Sequence, residues 1–153
     1  MENLDNVDLT ILKLLQQNAQ ITSKELSTHL NLSLSPIYER IKRLEKDGYI
    51  NAYVTILDKE KMGFTLIGFC HVSLKEHAKP FLDKFEEDVL QFNEVVECYH
   101  VTGNFDYMLK VLIKDMKEYQ NFIVNKLAIL ENIGNAQSQF VMTEIKNTTF
   151  LPI

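Results

Sequence analysis

The stretch HVTGNFDYMLKV, from His100 to Val111, holds one carboxylate just past a Gly103-Asn104 turn and between two apolar β-prone runs. No His, Cys or Lys stands at the usual catalytic spacing from that carboxylate, Asp106. A lone acceptor beside a glycine turn suits binding better than turnover. An α-amino acid needs donors for its carboxylate and an acceptor for its ammonium. Backbone N–H groups at a glycine turn supply the donors, because glycine adopts positive φ and lets a ligand approach closely. Asp106 supplies the acceptor. A plainer alternative is a hairpin in which Gly103-Asn104 serve the turn and Asp106 bonds nearby backbone. The local sequence by itself favours the hairpin.

A second candidate site is basic. LSLSPIYERIKRLEKDGYI carries Arg40, Lys42, Arg43 and Lys46, more than half of the seven Lys and Arg in residues 1–60, against nine Asp and Glu there. With Ile37, Ile41 and Leu44 inward at i, i+4, i+7, the side chains of Ser35, Tyr38, Glu39, Lys42 and Arg43 project outward. Lys and Arg neutralise phosphates, while Ser, Tyr and Glu near the helix start reach base edges. The candidate DNA-reading set is Ser33, Ser35, Pro36, Tyr38, Glu39, Arg40, Lys42 and Arg43. Arg40, one position before the buried Ile41, has the alternative of bracing the helix. A basic helix alone is also what a solvated face looks like; its place as third helix after a tight turn is what points to DNA.

No HxxxH or CxxC spacing accompanies His29, His71, His77 and His100, so neither a metal site nor a catalytic site is expected. Glu86, Glu87 and Asp88 read as a solvated helix face.

The elements that position these residues fall into two units. The first is written in helical period. Asp5 or Asp8 starts a helix burying Ile11, Leu12 and Leu15. Thr22 and Glu25 form a capping box for a short second helix that buries Leu26 and Leu30. Ser33 caps the third, with Pro36 in its first turn and Gly48 as its stop. The alternating run Tyr49–Ile56 reads as a β-wing or connecting strand. Asp58 to Gly63 is a hinge. From Phe64 the order is strand (64–74), helix (79–92, with Phe81, Leu82, Phe85 and Val89 inward), strands (95–101 and 107–113), a helix capped by Asp115 and burying Met116, Tyr119, Phe122, Ile123, Leu127 and Leu130, and a strand (135–142). The fold class is therefore α+β: a winged helix-turn-helix over 1–60, followed by a ferredoxin-like βαββαβ domain over 61–153. Ile67, Phe69, Met108 and Leu112 fall on the sheet face opposite the helices. A sheet apolar on both faces wants a second cover, and the economical cover is a second copy.

At 153 residues and 46% hydrophobic content the chain can bury real cores. Its charge of −5 argues against indiscriminate coating of nucleic acid, though not against a local basic patch. Cys70 and Cys98 sit in apolar runs, as buried thiols in a reducing cytoplasm would. No run approaches the roughly 18 apolar residues of a membrane span, and the acidic start MENLDNVD is unlike a secretory signal. A cytoplasmic protein without membrane contact is expected.

The segments Leu4-Asp5-x-x-Asp8-x-x-Ile11-Leu12, Ser33-x-x-x-Ile37-x-x-Arg40-Ile41-x-x-Leu44-Glu45-x-x-Gly48-x-Ile50 and Thr102-Gly103-Asn104-Phe105-Asp106-Tyr107 together resemble the Lrp/AsnC, or feast/famine, family of transcription regulators. They fall in the family's order along essentially the whole chain. The resemblance implies a DNA-binding unit and an amino-acid-sensing domain that dimerises through its sheet, with dimers assembling to octamers. It implies an amino-acid effector between subunits, no other cofactor and no enzymatic activity. It places the effector on Thr102, Gly103, Asn104, Phe105 and Asp106, with Ser138 from a neighbouring subunit. Members often carry Thr-x-Thr where this chain has Ala136-Gln137-Ser138, a departure that bears on effector choice. The residues by themselves leave two other readings: a small-molecule-binding or enzymatic ferredoxin-like domain with an ancillary helical module, or an effector-independent DNA-compacting protein.

Overall fold

The computed structural model describes residues 4–153; the first three residues of the acidic start lie outside them. The chain divides into two compact units, one running to Ile56 and taking in Lys146–Ile153, the other Leu57–Ile145.

The first unit contains α1 (Asn6–Gln17), α2 (Ser23–Leu30) and α3 (Leu34–Lys46). Their apolar stripes meet in a small core whose centre is Ile11, Leu26, Ile37 and Leu44, each fully buried. Each start is set locally. Asp5 is the N-cap of α1, accepting from Asp8 N–H at 2.9 Å while Asp8 accepts from Asp5 N–H at 3.2 Å. Thr22 and Glu25 close the same reciprocal box on α2, worth about 1 kcal/mol. Asn31, left-handed at φ 52°, ends α2 and makes the tight turn into α3. Ser33 occupies the cap position of α3 without a side-chain cap bond. Gly48, at φ 78°, stops α3, and Tyr49 N–H returns to Leu44 C=O at 2.9 Å. At the far end of the chain Leu151 N–H donates to the Gln16 side chain at 2.6 Å, fixing the last residues to α1.

The run 49–56 forms no β-ladder. Its alternation is real, but a strand needs a neighbour for its backbone groups and the chain offers it none. Tyr53, Val54 and Ile56 stay exposed.

The second unit orders as β1 (Leu66–Leu74), α4 (Lys79–Val89), β2 (Val95–His100), β3 (Tyr107–Ile113), α5 (Met116–Phe122) with a π-helical turn at Ile123–Leu127, and β4 (Ile133–Phe140). The strands form one antiparallel sheet in the order β2-β3-β1-β4. Cys70, Val72, Leu74, Tyr107, Leu109, Val111 and Ile113 line one face and pack on Phe85 and Val89 of α4 and Tyr119, Phe122 and Leu127 beyond β3. Strand alternation sends Ile67, Phe69, Met108 and Leu112 to the other face, as expected, with Lys110 paired to Glu97 at 2.7 Å among them.

Three packing expectations change. Phe81 and Met116 are 38% and 55% exposed rather than inward. Both stand in the first turn of their helices, before the stripe that meets the sheet begins. Cys98 is exposed, not buried, because β2 is the sheet's edge strand; Cys70, on central β1, is buried.

Candidate functional site

Helix α3 presents Ser35, Pro36, Tyr38, Glu39, Lys42 and Arg43 to solvent, while Ile37 and Leu44 anchor its other side. Ser33 is exposed at its start, and Arg40 is half-buried. The sequence therefore assigns the outward face correctly, but not its electrostatics. Asp8, only 1% exposed, lies beneath the helix and holds both arginines: Arg40 Nη1 donates to it at 2.8 Å, and Arg43 Nη2 makes a second, short contact. Arg40 also reaches Asp5 at 2.7 Å. The neighbouring carboxylates hold the Arg40 guanidinium above its ordinary pKa. Bracing, the alternative read for Arg40, is what this geometry provides, and Arg43 shares it. Lys42 has looser company, Glu45 at 3.3 Å and the face of Tyr38 with Nζ 5.8 Å from the ring centroid. A cleft of about 330 Å³ is lined by Pro36, Glu39, Arg40 and Arg43. The signal for Asp8 as a partner was in the sequence: an aspartate in the first turn of an otherwise apolar-facing helix, with two arginines three apart on a later one.

In the second unit, the β2–β3 connection is a bend at Thr102–Asn104 with Gly103 at φ 120°. Thr102, Gly103 and Asn104 are exposed, Phe105 and Asp106 half-buried. Val101 N–H donates to Asp106 C=O at 2.8 Å, and Asp106 N–H to Val72 C=O at 2.9 Å, so Asp106 is tied to both flanking strands. Its side chain is also engaged. Oδ2 accepts from Leu74 N–H at 2.7 Å, and His77 Nε2 lies 3.0 Å from Oδ1 and 3.1 Å from Oδ2. Burial pushes the Asp106 carboxyl up, but the Leu74 N–H, His77 and the charge of His100 outweigh it and hold it below the ordinary carboxylate value. The structural hairpin reading and the ionised-acceptor reading thus coexist in one residue. Ser73 Oγ donates to Asn104 C=O at 3.2 Å, and the Phe105 ring packs on His71 with centroids 5.3 Å apart.

Ser138 is not brought to this bend within the chain. It pairs with Cys70, two residues along β1 from Val72, whose partners are Tyr107 and Ala136. Its hydroxyl meets Tyr119 Oη and lies 3.8 Å from Cys70 Sγ, on the helix-covered face. A groove of about 460 Å³, mostly apolar, lies beside Met116, Tyr119, Ile123 and Val124 and does not include the bend.

His77 was missed from the sequence because 29 positions separate it from Asp106. A topological signal exists: pairing β1 with β3 antiparallel puts the loop after β1 beside the hairpin before β3. Among the described residues no three His, Cys, Asp or Glu side chains gather as a metal site, and no helix is long and apolar enough to cross a membrane.

Known proteins resemble this chain along its length. Residues 4–51 match the winged helix-turn-helix DNA-binding model, and residues 67–151 the Lrp/AsnC ligand binding domain. The Bkd operon transcriptional regulator of Pseudomonas aeruginosa is 34% identical over 145 residues, covering 95% of each chain. The transcriptional regulator AzlB of Bacillus subtilis is 37% identical over 150 residues, 98% of this chain and 96% of its own. A Neisseria meningitidis transcriptional regulator, solved as its complex with L-methionine, superposes with a TM-score of 0.93 at 37% identity, over 98% and 97% of the two chains. The chain thus belongs to the Lrp/AsnC family and is a DNA-binding transcriptional regulator.

Proposed function

We propose that the regulator reads double-stranded DNA with α3 and answers to an α-amino acid bound at Thr102, Gly103, Asn104, Phe105 and Asp106. The observation that carries the ligand reading is Asp106 itself: a half-buried carboxylate beside an exposed glycine bend, with Gly103 at φ 120°. Such a bend offers an acceptor for an ammonium and donors for a carboxylate. The Neisseria relative, solved with L-methionine, supports the ligand class. Copies pair through the sheet face bearing Ile67, Phe69, Met108 and Leu112, and the dimers assemble further to an octamer in the cytoplasm. Ser138 serves a neighbour's ligand only when its bond to Tyr119 opens. Ligand at the subunit boundary then biases which assembly forms, and so how many α3 helices engage DNA together.

On α3, Ser33, Ser35, Pro36, Tyr38 and Glu39 lie at the base-facing start, and Lys42 is the phosphate contact. Arg40 and Arg43 act chiefly through Asp8, which leaves less of their charge for phosphates. Two experiments test this. A thermal-shift panel of the twenty amino acids, with mass measurement for any hit, tests the effector; no shift with any of them returns the bend to a structural turn. Anisotropy titrations against DNA selected by the wild-type protein test the helix. Lys42→Ala is expected to lower the salt slope by about 0.9 and Arg43→Ala by clearly less. Equal, full-sized losses would assign both side chains to phosphates, and no loss in either would remove α3 from the interface.

A further inference from the structure

Asp106 serves two partners with one carboxylate. β3 begins at Tyr107, opposite Val72, so Leu74 N–H finds no backbone acceptor on that side, and Asp106 Oδ2 replaces it at 2.7 Å. The outward lone pairs are covered by His77, whose Nε2 sits within 3.1 Å of both oxygens. An ionised carboxylate only accepts, so that nitrogen carries the proton. The His77 side chain is 60% exposed and that of Asp106 22%. The backbone just before His77 is pinned independently of the pair. Asn132, left-handed at φ 71°, exchanges side-chain bonds of 2.8 Å with both backbone groups of Glu76 and accepts Lys75 N–H at 2.9 Å. The ring is therefore a mobile group on a fixed post, resting on the one carboxylate a ligand's ammonium would need.

We propose that His77 is a built-in competitor for the effector: in the free protein its imidazole occupies Asp106, and an amino acid binds by taking its place. This rests on the reading of the bend as an α-amino-acid site. Displacement leaves nothing bare, since Leu74 N–H stays on Oδ2 and the imidazole turns into water. The apparent affinity is the intrinsic one reduced by the fraction of chains with His77 swung away. The other charge bearing on the Asp106 carboxylate is that of His100 on β2. The competition is specific to ligands with an ammonium; the des-amino acid of the same side chain has no quarrel with His77.

The test titrates the full-length protein with whichever of the twenty L-amino acids shifts its melting. It is run for wild type, His77→Ala and Asp106→Asn, each also in a His100→Gln background. His77→Ala is expected to bind about threefold to tenfold tighter. The des-amino analogue gains nothing. Asp106→Asn keeps an acceptor for Leu74 N–H and is expected to lose the amino acid. Without any ligand, Asp106→Asn also shifts the His77 ring signals in NMR, which reports the pair alone. Equal or weaker binding by His77→Ala, in a protein that does bind an amino acid, overturns the competitor role and leaves the effector site standing. No binding by wild type or His77→Ala overturns the effector reading, and the competitor role with it.

Discussion

Replacing Asp8 by alanine is expected to loosen α3 without touching its outer face. Asp8 is 1% exposed and accepts from Arg40 Nη1, Arg43 Nη2 and Asp5 N–H. Removing one member of a buried ion pair costs about 3–5 kcal/mol, because the other charge is left bare in a poor solvent. Here the bare groups are not deeply buried. The Arg43 side chain is 46% exposed and that of Arg40 27%, and Arg40 keeps Asp5 at 2.7 Å. Water therefore takes up part of the cost, and about 2–3 kcal/mol is the expected loss. That is a large share of what three short helices around Ile11, Leu26, Ile37 and Leu44 can supply.

The assay is amide hydrogen exchange on the full chain, since the sheet unit serves as internal reference. Protection of the α3 amides at Ile37, Ile41 and Leu44 should fall about 30- to 150-fold, as 1.4 kcal/mol is a factor of ten. Protection at Cys70 and Leu109 on β1 and β3 should hold. Asp8→Asn keeps one acceptor and should fall between. Protection of α3 within threefold of wild type in Asp8→Ala would refute the claim that this carboxylate fixes the helix, and with it the reason to treat Arg43 as a brace.

Other outcomes follow from single contacts. Thr22→Ala removes the cap that Glu25 N–H uses and should cost about 1 kcal/mol, read as earlier exchange of the α2 amides. Tyr107→Phe deletes a hydroxyl that donates to Glu86 at 2.8 Å from an almost fully buried ring, and should lower stability by about 1 kcal/mol in chemical denaturation of the sheet unit. The folded Asp106 carboxyl lies below its unfolded value, so its contribution is complete above about pH 4 and is lost as pH falls through the folded value. The melting difference between wild type and Asp106→Asn should accordingly shrink in acid; a difference that grows there would reverse the sign. Alkylation of the native protein should label exposed Cys98 and spare buried Cys70.

Much of the fold is local physics and was open to a reader of residues. The Asp5–Asp8 and Thr22–Glu25 boxes, the Gly48 stop and the period-two runs of β1 and β3 each act over four to ten residues, where spacing is informative. What spacing hid is of two kinds. Side chains at the first turn of a helix, Phe81 and Met116, obey the apolar period but lie outside the packed stripe. Groups far apart in sequence, Asp8 with Arg43 and Asp106 with His77, meet only after the elements dock. The run Tyr49–Ile56 shows a third limit: its alternation marks capacity to pair, and a single chain gives it nothing to pair with.

The two engaged carboxylates differ in what their partners can do, and that difference assigns their roles. Asp8 is sealed, and its partners cannot leave without stranding a charge that water does not reach. The first unit is thereby held to one arrangement of α3, which suits the base-reading role proposed for that helix. Asp106 keeps its structural bond to Leu74 whichever group covers its outer side, and His77 leaves into open solvent. One partner is permanent and the other exchangeable. A sensor needs that asymmetry: a carboxylate wholly committed cannot receive a ligand, and one wholly free would also accept any stray ammonium or lysine. On the proposed reading, with His77 resting on it, Asp106 answers only to a ligand whose other contacts, at the Gly103 bend and across a subunit boundary, add enough to displace the ring.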